Sequence, residues 1–314
     1  MKEYLLRRIL ALAPVMFVVA TLVFVLMHLT PGDPVSAMLG MDASAVDIAR
    51  MRSRLDLDQP LFFQYALWLG KVVRGNLAES IFLQVPLLTA VLDRLEPTLL
   101  LTLLAIAFAV GVGIPAGVIS ATRFGSAADQ GIMVVALLGV SMPDFWLGLN
   151  LIFLIAVKFG WLPVAGYVSL SADWLATLRY LIMPAFCLGF IQSALIARMT
   201  RAVMLDVLAQ DYIRTGHAKG LSRECVVYKH ALKNAMIPTL TVIGITFAIM
   251  MGGAIVIETV FNIPGVGRLL IQSVTRRDYP VIQGVVLLIA GAYVLINLLV
   301  DVAYAYLDPR IKYV

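Results

Sequence analysis

Six long apolar runs stand out from the more polar segments along the chain. A helix needs about 20 apolar residues to cross the hydrocarbon core of a membrane, so each run is long enough to span it. Pro143 lies inside the third run and is expected to kink or break that helix. We therefore predict an all-α, polytopic integral membrane protein with six transmembrane helices, at residues 9–29, 98–121, 132–157, 180–197, 236–257 and 281–304.

The composition agrees with this fold class. Of the 314 residues, 61% are hydrophobic and 14% are charged, against about 25% charged residues in soluble domains. The mean hydropathy is +0.94. These values exclude a disordered chain and argue against a soluble enzyme, and the net charge of +5 is too small and too dispersed to indicate a nucleic-acid partner. Two cysteines are too few for a disulfide framework, so we expect two free thiols.

Lysine and arginine residues set the predicted orientation, because they concentrate on the cytoplasmic side of membrane proteins. With the N-terminus inside, the cytoplasmic segments hold 13 of them and the short outside loops hold 5. Both termini are therefore predicted to be cytoplasmic. Residues 1–29 then form a retained N-terminal transmembrane helix, since the apolar run is too long for a signal peptide.

The remaining chain divides into two predicted parts. Residues 30–97 form an extracytoplasmic loop or cap, with helical patches at 44–55 and 61–73 that pack on the membrane part. Residues 98–314 form a five-helix core. Within that core, the spacing of Gly113 and Gly117 is typical of a close helix-packing face.

A hydrophilic cytoplasmic loop at residues 198–235 carries the main functional signal. Two helical stretches, 202–217 and 222–235, are predicted to meet near Gly220, which suits the residue after a helix end, and Ser222, which suits a helix N-cap. Small side chains in the centre would let another backbone approach closely, and the flanking basic residues could make charge-assisted contacts with a partner. The alternative is a basic hairpin that is solvated near anionic lipid headgroups.

The same loop resembles the EAA loop of permease subunits in ATP-binding-cassette (ABC) importers. That pattern reads E-A-A, three residues, Gly, nine residues, then I-x-L-P; Gly220 matches its glycine and Leu232 matches its leucine, and Arg214-Thr215-Gly216 occupy the E-A-A positions. The loop is closer to the form of the dipeptide/oligopeptide/nickel branch, D-Y-x-R-T-A-R-A-K-G-L. It matches this form from Asp211 to Leu221 except at Gly216 and His217.

Further stretches resemble the same branch, in order along nearly the whole chain. The chain is most similar to the B-type of the branch's two permease subunits. The stretches are Pro31-Gly32-Asp33-Pro34, Leu57-Asp58-Gln59-Pro60-Leu61 with Gln64-Tyr65, Glu258-Thr259-Val260-Phe261, Pro264-Gly265-Val266-Gly267-Arg268, Arg277-Asp278-Tyr279-Pro280-Val281 and Asp308-Pro309-Arg310-Ile311.

The resemblance implies a non-catalytic permease subunit of the inner membrane that binds no cofactor or metal. In agreement, the sequence has no P-loop pattern G-x-x-x-x-G-K-[ST], so two separate ATPase subunits would use ATP and Mg²⁺. A second permease subunit, homologous or identical, and an extracytoplasmic substrate-binding protein complete the implied complex. Short peptides are the default cargo, with nickel chelates, glutathione and opine-like compounds as alternatives. The residues that would contact the ATPase are Asp211, Tyr212, Arg214, Thr215, Gly216, Ala218, Lys219, Gly220 and Leu221.

Acidic residues in the spans are the candidates for a translocation pathway, because charges in lipid are costly and face the protein interior or water. Asp144 could meet a cationic part of the cargo, or it could cap the half-helix after Pro143. Glu258 ends the fifth span and could contribute to the pathway, a gate or a loop anchor. The three histidines are too scattered for a metal site.

Two other classes of function remain open. Gly139-Val140-Ser141 could belong to an intramembrane serine protease, but the only histidine inside a predicted span, His28, lies near the end of the first one. An ATP-independent carrier or channel would share the composition but would have no use for the loop at 198–235.

Overall fold

The chain is helical, and no strand occurs within the residues that the structure describes. This structure, a computed structural model, describes residues 2–29, 35, 44–54, 57–77, 79–80 and 82–307. Two of the stretches that carry the family resemblance, Pro31-Gly32-Asp33-Pro34 and Asp308-Pro309-Arg310-Ile311, lie outside these residues. The α-helices, in chain order, are α1 Lys2–Leu29, α2 Ala45–Arg54, α3 Leu61–Val73, α4 Leu87–Thr122, α5 Ala127–Ser141, α6 Asp144–Leu151, α7 Trp174–Leu208, α8 Asp211–Ala218, α9 Leu232–Val260, α10 Val266–Arg276 and α11 Tyr279–Leu307.

Two π-helical segments complete the secondary structure of the described chain. Ile152–Lys158 extends α6, and Cys225–Ala231 leads into α9. Five segments of these helices are long and apolar enough to cross a membrane, and a sixth span is present if the bent pair Ala127–Ser141 and Asp144–Lys158 counts as one. The predicted all-α polytopic fold is therefore confirmed. The five segments are Leu12–Leu29, Leu87–Thr122, Trp174–Leu208, Cys225–Gly252 and Tyr279–Leu299.

The bend in the third predicted span falls at Pro143, as expected, and amounts to 100°. Met142 (φ −88°, ψ 130°) and Pro143 (φ −66°, ψ 138°) both have extended backbone angles. Proline disfavours the helical conformation of the residue before it and has no N–H to donate to a preceding turn. As a result, α5 ends at Ser141 and α6 starts in a new direction at Asp144.

Several helices extend beyond the predicted spans. The second span was predicted to begin at residue 98, but α4 begins at Leu87, and α7 runs over Trp174–Leu208 rather than 180–197. An apolar run marks the part of a helix that lies in lipid, whereas the backbone hydrogen bonds continue through its polar ends. Residues 87–97, at the end of the predicted cap at 30–97, therefore belong to the same helix as the second predicted span, and the two predicted helical patches are present as α2 and α3.

The prediction of one helix over 202–217 is wrong. α7 continues to Leu208, Gln210 is extended (φ −72°, ψ 149°), and α8 starts at Asp211. An acidic side chain in the first turn stabilises the positive end of a helix dipole, so Asp211 favours a helix start at this point. No proline or glycine lies between residues 198 and 215, so the sequence contains no local signal for this break.

The described chain forms two compact units, Met1–Leu95 with Gly265–Val294, and Glu96–Pro264 with Leu295–Val314. The first has a core of apolar side chains from the start of α4, from α10 and from α11. The second has its largest core where α4, α6, α7 and α9 pack together. These units follow packing, whereas the division into residues 1–29, 30–97 and 98–314 follows the side of the membrane and stays a prediction.

Within the second unit, α4 and α7 approach each other closely at glycines. A Cβ atom on Gly117 would lie 2.7 Å from the Ala197 carbonyl oxygen and 2.6 Å from Thr200 Cβ. On Gly113 it would lie 2.8 Å from the Ser193 carbonyl oxygen. Small residues allow two backbones to come this close and to gain van der Waals contact, which is the main source of helix association in lipid. The predicted packing face at these two glycines is confirmed.

We expect Gly117→Ala to lower the stability of the fold, because its methyl group would overlap the Ala197 carbonyl and Thr200. Overpacking of this kind costs about 1–3 kcal/mol. Gly111→Ala is the matched control on the same helix, since a Cβ there would meet nothing within 4 Å. Thermal unfolding of the purified variants should show a lower melting temperature for Gly117→Ala alone. Equal melting temperatures for the two variants would contradict the close packing.

Candidate functional site

The loop at 198–235 is organised around the short helix α8. Its buried side chain, Ile213, is 3% exposed and packs in an apolar cluster with Met204 of α7 and with Val226 and Ala231 of the segment that follows. A helix with one apolar side is oriented by the burial of that side. The opposite side of α8 is therefore turned away from the protein.

The C-terminal end of α8 has the geometry that the sequence predicts. Gly220 is in the left-handed conformation, with φ of 78°. The Leu221 N–H donates to the Gly216 carbonyl (3.2 Å) and the Gly220 N–H donates to the His217 carbonyl (3.0 Å). These two bonds form a Schellman motif, in which a residue with a Cβ is strained at the left-handed position. The predicted place of Gly220 directly after a helix end is confirmed.

The next helix begins at Ser222, also as predicted. Its Oγ accepts a hydrogen bond from the Cys225 N–H at 3.3 Å, which is an N-cap contact. The neighbouring Arg223 donates from Nη2 to the Thr122 carbonyl at 2.8 Å. A cation is favourable at this C-terminal end of α4, so the hairpin is tied directly to α4.

The residues predicted to contact an ATPase lie on the free side of α8 and in the turn after it. Gly216 is half-buried, and the others are exposed. The ion pair between Arg214 Nη1 and Asp211 Oδ1, at 3.6 Å, is open to solvent and contributes little to stability. This surface is open to a partner, while the contact itself stays a prediction. Its exposed members are Asp211, Tyr212, Arg214, Thr215, Ala218, Lys219, Gly220 and Leu221.

A shallow depression of about 190 Å³ lies on this surface. Asn234 Nδ2 donates to the Tyr212 hydroxyl at 2.8 Å and fixes that ring at the edge. A Cβ atom on Gly216 would lie 3.6 Å from the Leu221 and Val226 side chains, which is ordinary contact. The alanine of the related pattern would therefore fit, and the glycine leaves the depression deeper. The lining residues are Tyr212, Ile213, Thr215, Gly216, Lys219, Leu221, Val226 and His230.

A buried carboxylate fixes the elements from which this loop emerges. Asp129 of α5 is 3% exposed and accepts two parallel hydrogen bonds from Arg201 of α7, from Nε to Oδ1 at 2.7 Å and from Nη2 to Oδ2 at 2.9 Å. The Ser120 hydroxyl of α4 and the Gly125 N–H also donate to it. Paired charge-assisted bonds are strong and directional. They hold α4, α5 and α7 together near the end of α7 that leads to α8.

Sequence reasoning missed this ion pair. One part of it was visible, because Ser126 caps α5 and accepts a hydrogen bond from the Asp129 N–H, and serine followed three residues later by an acid is typical of a helix start. The other part was hidden. No spacing in the sequence indicates that Arg201, on a different helix, is the partner of Asp129.

The two candidate pathway residues have different surroundings. Asp144 lies in the first turn of α6, where the helix dipole favours its charge, but Pro143 occupies the N-cap position. Its side chain is half-buried. The partial exposure leaves Asp144 within reach of a ligand.

Glu258, in contrast, is fully buried in α9. Its Oε1 accepts a hydrogen bond from the Thr98 hydroxyl of α4 at 2.5 Å, and its carbonyl accepts one from the Ile263 N–H at 2.8 Å. The residue therefore joins two helices and the turn after α9. This arrangement favours the loop anchor among the roles considered for Glu258.

The carboxylate of Glu96 orders the loop between α6 and α7. It accepts hydrogen bonds from the Tyr167 hydroxyl and the Leu170 N–H, both at 2.7 Å, and from the Ser169 hydroxyl at 3.0 Å. Burial, and then the hydrogen bond to Glu96, raise the pKa of Tyr167. The hydroxyl therefore keeps its proton and continues to donate it to Glu96. No motif in the sequence indicated this contact.

Groups that could hold a metal ion are absent from the part of the chain that the structure describes, since no three His, Cys, Asp or Glu side chains cluster there. Cys187 and Cys225 are both free thiols. The features of the site are thus an exposed helix, a shallow depression and the contacts that brace them. Such an arrangement can bind a protein surface and transmit its movement.

Two family descriptions match the chain along most of its length. Residues 113–313 match the family described as "Binding-protein-dependent transport system inner membrane component". Residues 1–94 match its N-terminal counterpart, "Binding-prot-dependent transport system membrane comp, N-term".

Curated relatives are similar over the full chain. A probable peptide ABC transporter permease of Sinorhizobium fredii is 45% identical over 313 residues. A dipeptide transport system permease of Alkalihalophilus pseudofirmus is 42% identical over 334 residues, and a glutathione transport system permease of Escherichia coli is 44% identical over 313. Each match covers 100% of this chain and 100% of the relative.

A solved structure shares the fold. An inward-facing MetNI methionine ABC transporter matches with a TM-score of 0.57 over 70% of this chain and 97% of that chain. The two sequences are 20% identical, so this similarity concerns the arrangement of helices and not the residues of a site.

We expect Asp129→Ala to lower the melting temperature, because it leaves the Arg201 guanidinium without its anion at a largely buried site. The double variant Asp129→Ala/Arg201→Met should recover part of that loss, since it removes the stranded charge. Arg198→Met, at an exposed position of the same helix, is the control and should melt near the wild-type temperature. A double variant that is no more stable than Asp129→Ala would contradict the role of the ion pair.

Proposed function

Because the chain belongs to the family of binding-protein-dependent transport system inner membrane components, we propose that α8 is the element through which separate ATPase subunits drive transport. The chain is a multi-pass protein of the inner membrane and a permease subunit of an ABC importer. It is not an enzyme, and it works with partner subunits that hydrolyse ATP. In this proposal, ATP and Mg²⁺ are bound only by those partners, and this chain binds no cofactor.

The surroundings of α8 support the coupling role. A helix that couples ATP hydrolysis to transport must expose a surface to the ATPase and must be rigidly connected to the membrane helices that move. α8 exposes nearly all of its side chains, while Ile213 anchors it in an apolar cluster. Arg223 fastens the hairpin to α4, and the Arg201–Asp129 pair fastens α7 to α4 and α5. A force on α8 would therefore reach three membrane helices.

In the proposed transport mechanism, the membrane helices alternate between two packing arrangements. Closure of two ATPase subunits on ATP would push α8 of each permease subunit, and the spans would shift from an inward-facing to an outward-facing arrangement. The excess of basic residues in the loops on the side of α8 supports a cytoplasmic position for this hairpin. The resemblance to the branch supports a second, homologous permease subunit and an extracytoplasmic binding protein as the other partners.

Short peptides are the cargo that we propose. The three relatives described above are named for peptide, dipeptide and glutathione transport. A free ammonium group is common to these compounds, and Asp144 is a half-buried carboxylate beside the break in the third span. We propose that Asp144 binds the amino terminus of the peptide. Glutathione is the second candidate, since it has the same ammonium group.

Gly220→Trp should abolish ATP-driven uptake while membrane insertion stays intact. The indole would stand on the exposed surface at the end of α8, and the left-handed backbone would be strained. Gly160→Trp is the matched control, because Gly160 also has a positive φ (65°) and open space around its Cβ but lies in the loop between α6 and α7. Uptake and ATP hydrolysis are measured in vesicles that contain the complete transporter.

Normal uptake by Gly220→Trp would overturn the coupling role of this turn. A cross-linking measurement adds independent information. A cysteine in place of Lys219 should cross-link to an ATPase subunit in the same vesicles. Absence of that product would contradict both the contact and the cytoplasmic position of α8.

Asp144→Asn should weaken transport of a dipeptide with a free amino terminus. A charge-assisted hydrogen bond contributes roughly 1.5–3 kcal/mol, so we expect the KM for uptake to rise about tenfold or more. Asp93→Asn, which removes an exposed carboxylate of α4, is the control and should leave the KM unchanged. An unchanged KM for Asp144→Asn would contradict the ammonium contact while leaving the coupling role intact.

A further inference from the structure

Helix α3 has an unusual surface for a segment predicted to lie outside the membrane. It has no buried residue. Its large exposed apolar side chains, which are between 47% and 80% exposed, are Leu61, Phe62, Phe63, Leu67 and Val73. A contiguous apolar surface of this kind is rare on a protein in water and marks a contact with lipid or another protein.

The contacts between α3 and α1 show how deep this surface lies. The Tyr65 hydroxyl is 2.7 Å from Thr21 Oγ1. The Phe24 ring packs on the rings of Tyr65 and Trp68, with centroids 5.1 Å and 5.5 Å apart. Thr21 and Phe24 lie within the apolar span Leu12–Leu29. At 1.5 Å per residue, Phe24 is about 8 Å from the end of α1, so α3 lies beside the hydrocarbon part of α1 and not beyond it.

Two polar side chains of α3 near α1, those of Gln64 and Tyr65, are satisfied within the protein. Gln64 Oε1 is 3.1 Å from His28 Nε2, and Gln64 Nε2 donates to the Gln59 carbonyl at 2.7 Å. The Tyr65 hydroxyl is paired with Thr21. Polar groups without a partner are costly in hydrocarbon. The side of α3 that carries Gln64 and Tyr65, which would be costly to expose to lipid, thus faces α1.

The apolar side of α3 also continues a lipid-facing surface. Leu22, Val25 and Leu26 of α1 are exposed at the same depth, at 55%, 40% and 58%. The last turn of α3 contains Lys71, and Arg74 follows it. Long basic side chains at the end of a membrane-embedded segment carry their charges to the headgroups. α2 differs, since three of its ten residues are arginine.

We propose that α3 is a lipid-embedded helix that lies in the membrane leaflet at the C-terminal end of α1. Acyl chains cover Phe62, Phe63 and Val73, and α3 holds the following segment against the membrane. A water-soluble partner does not reach side chains at this depth. α2, one short connection earlier in the chain, stays in water.

The test uses spin labels in the complete transporter, in vesicles of phosphatidylethanolamine and phosphatidylglycerol. Nitroxides are attached to Phe62→Cys and, separately, to Val46→Cys on α2 and Leu22→Cys on α1, in a chain with Cys187→Ala and Cys225→Ser. Phe62, Val46 and Leu22 are similarly exposed, at 76%, 65% and 55%. Collision rates with oxygen, which partitions into lipid, and with the water-soluble nickel complex NiEDDA report the surroundings of each label.

At position 62 we expect the lipid pattern seen at position 22, with more frequent collisions with oxygen than with NiEDDA. At position 46 we expect the reverse. Frequent collisions with NiEDDA at position 62 would place α3 in water, and few collisions with either reagent would place it against protein; both results overturn the proposal. Val73→Cys, 80% exposed, repeats the measurement if the Phe62 variant does not assemble.

Discussion

The close approach of α4 and α7 is the contact on which the rest of the larger unit depends. Gly113 and Gly117 of α4 and Gly189 of α7 bring the two backbones so near that a single methyl group would overlap a carbonyl oxygen. Because lipid tails are as apolar as leucine, burial of apolar surface does not hold helices together in a membrane, and close van der Waals contact takes its place. α7 leads directly towards α8, so this contact also sets where the coupling surface lies.

Acidic side chains add further contacts between the helices around α4 and α7. The Asp129–Arg201 pair acts at the end of α7 that precedes α8, and Glu258 joins α9 to α4 through Thr98. Glu96 orders the loop before α7. Each carboxylate accepts a hydrogen bond from at least one donor in a distant part of the chain. Together these contacts hold α7 rigidly in place. Coupling through α8 requires this, because α8 follows directly after α7.

Helix breaks occur at the positions to which we assign function. The hydrocarbon core requires backbone groups to be paired inside helices, so an interruption within a span is costly and is tolerated where it serves a purpose. Pro143 is such an interruption, next to Asp144 in the third span. Gln210 separates α7 from α8 just after the apolar span Trp174–Leu208 ends. The cost of unpaired polar groups in hydrocarbon also determines how α3 is oriented. Its paired polar side chains face α1, and its apolar side chains face outwards.

The sequence by itself determined the features that depend on neighbours along the chain. Apolar runs of sufficient length specified the spans, Pro143 specified the break, and Gly220 and Ser222 specified the two helix ends of the hairpin, because backbone hydrogen bonding and dihedral preference act over a few residues. Only the tertiary structure decided which distant residues meet. Asp129 with Arg201, Glu96 with Tyr167 and Tyr65 with Thr21 are pairs that no local pattern encodes, since their energy depends on how separate helices pack. The depth of α3 belongs to the same class, because it is set by the helix on which it rests.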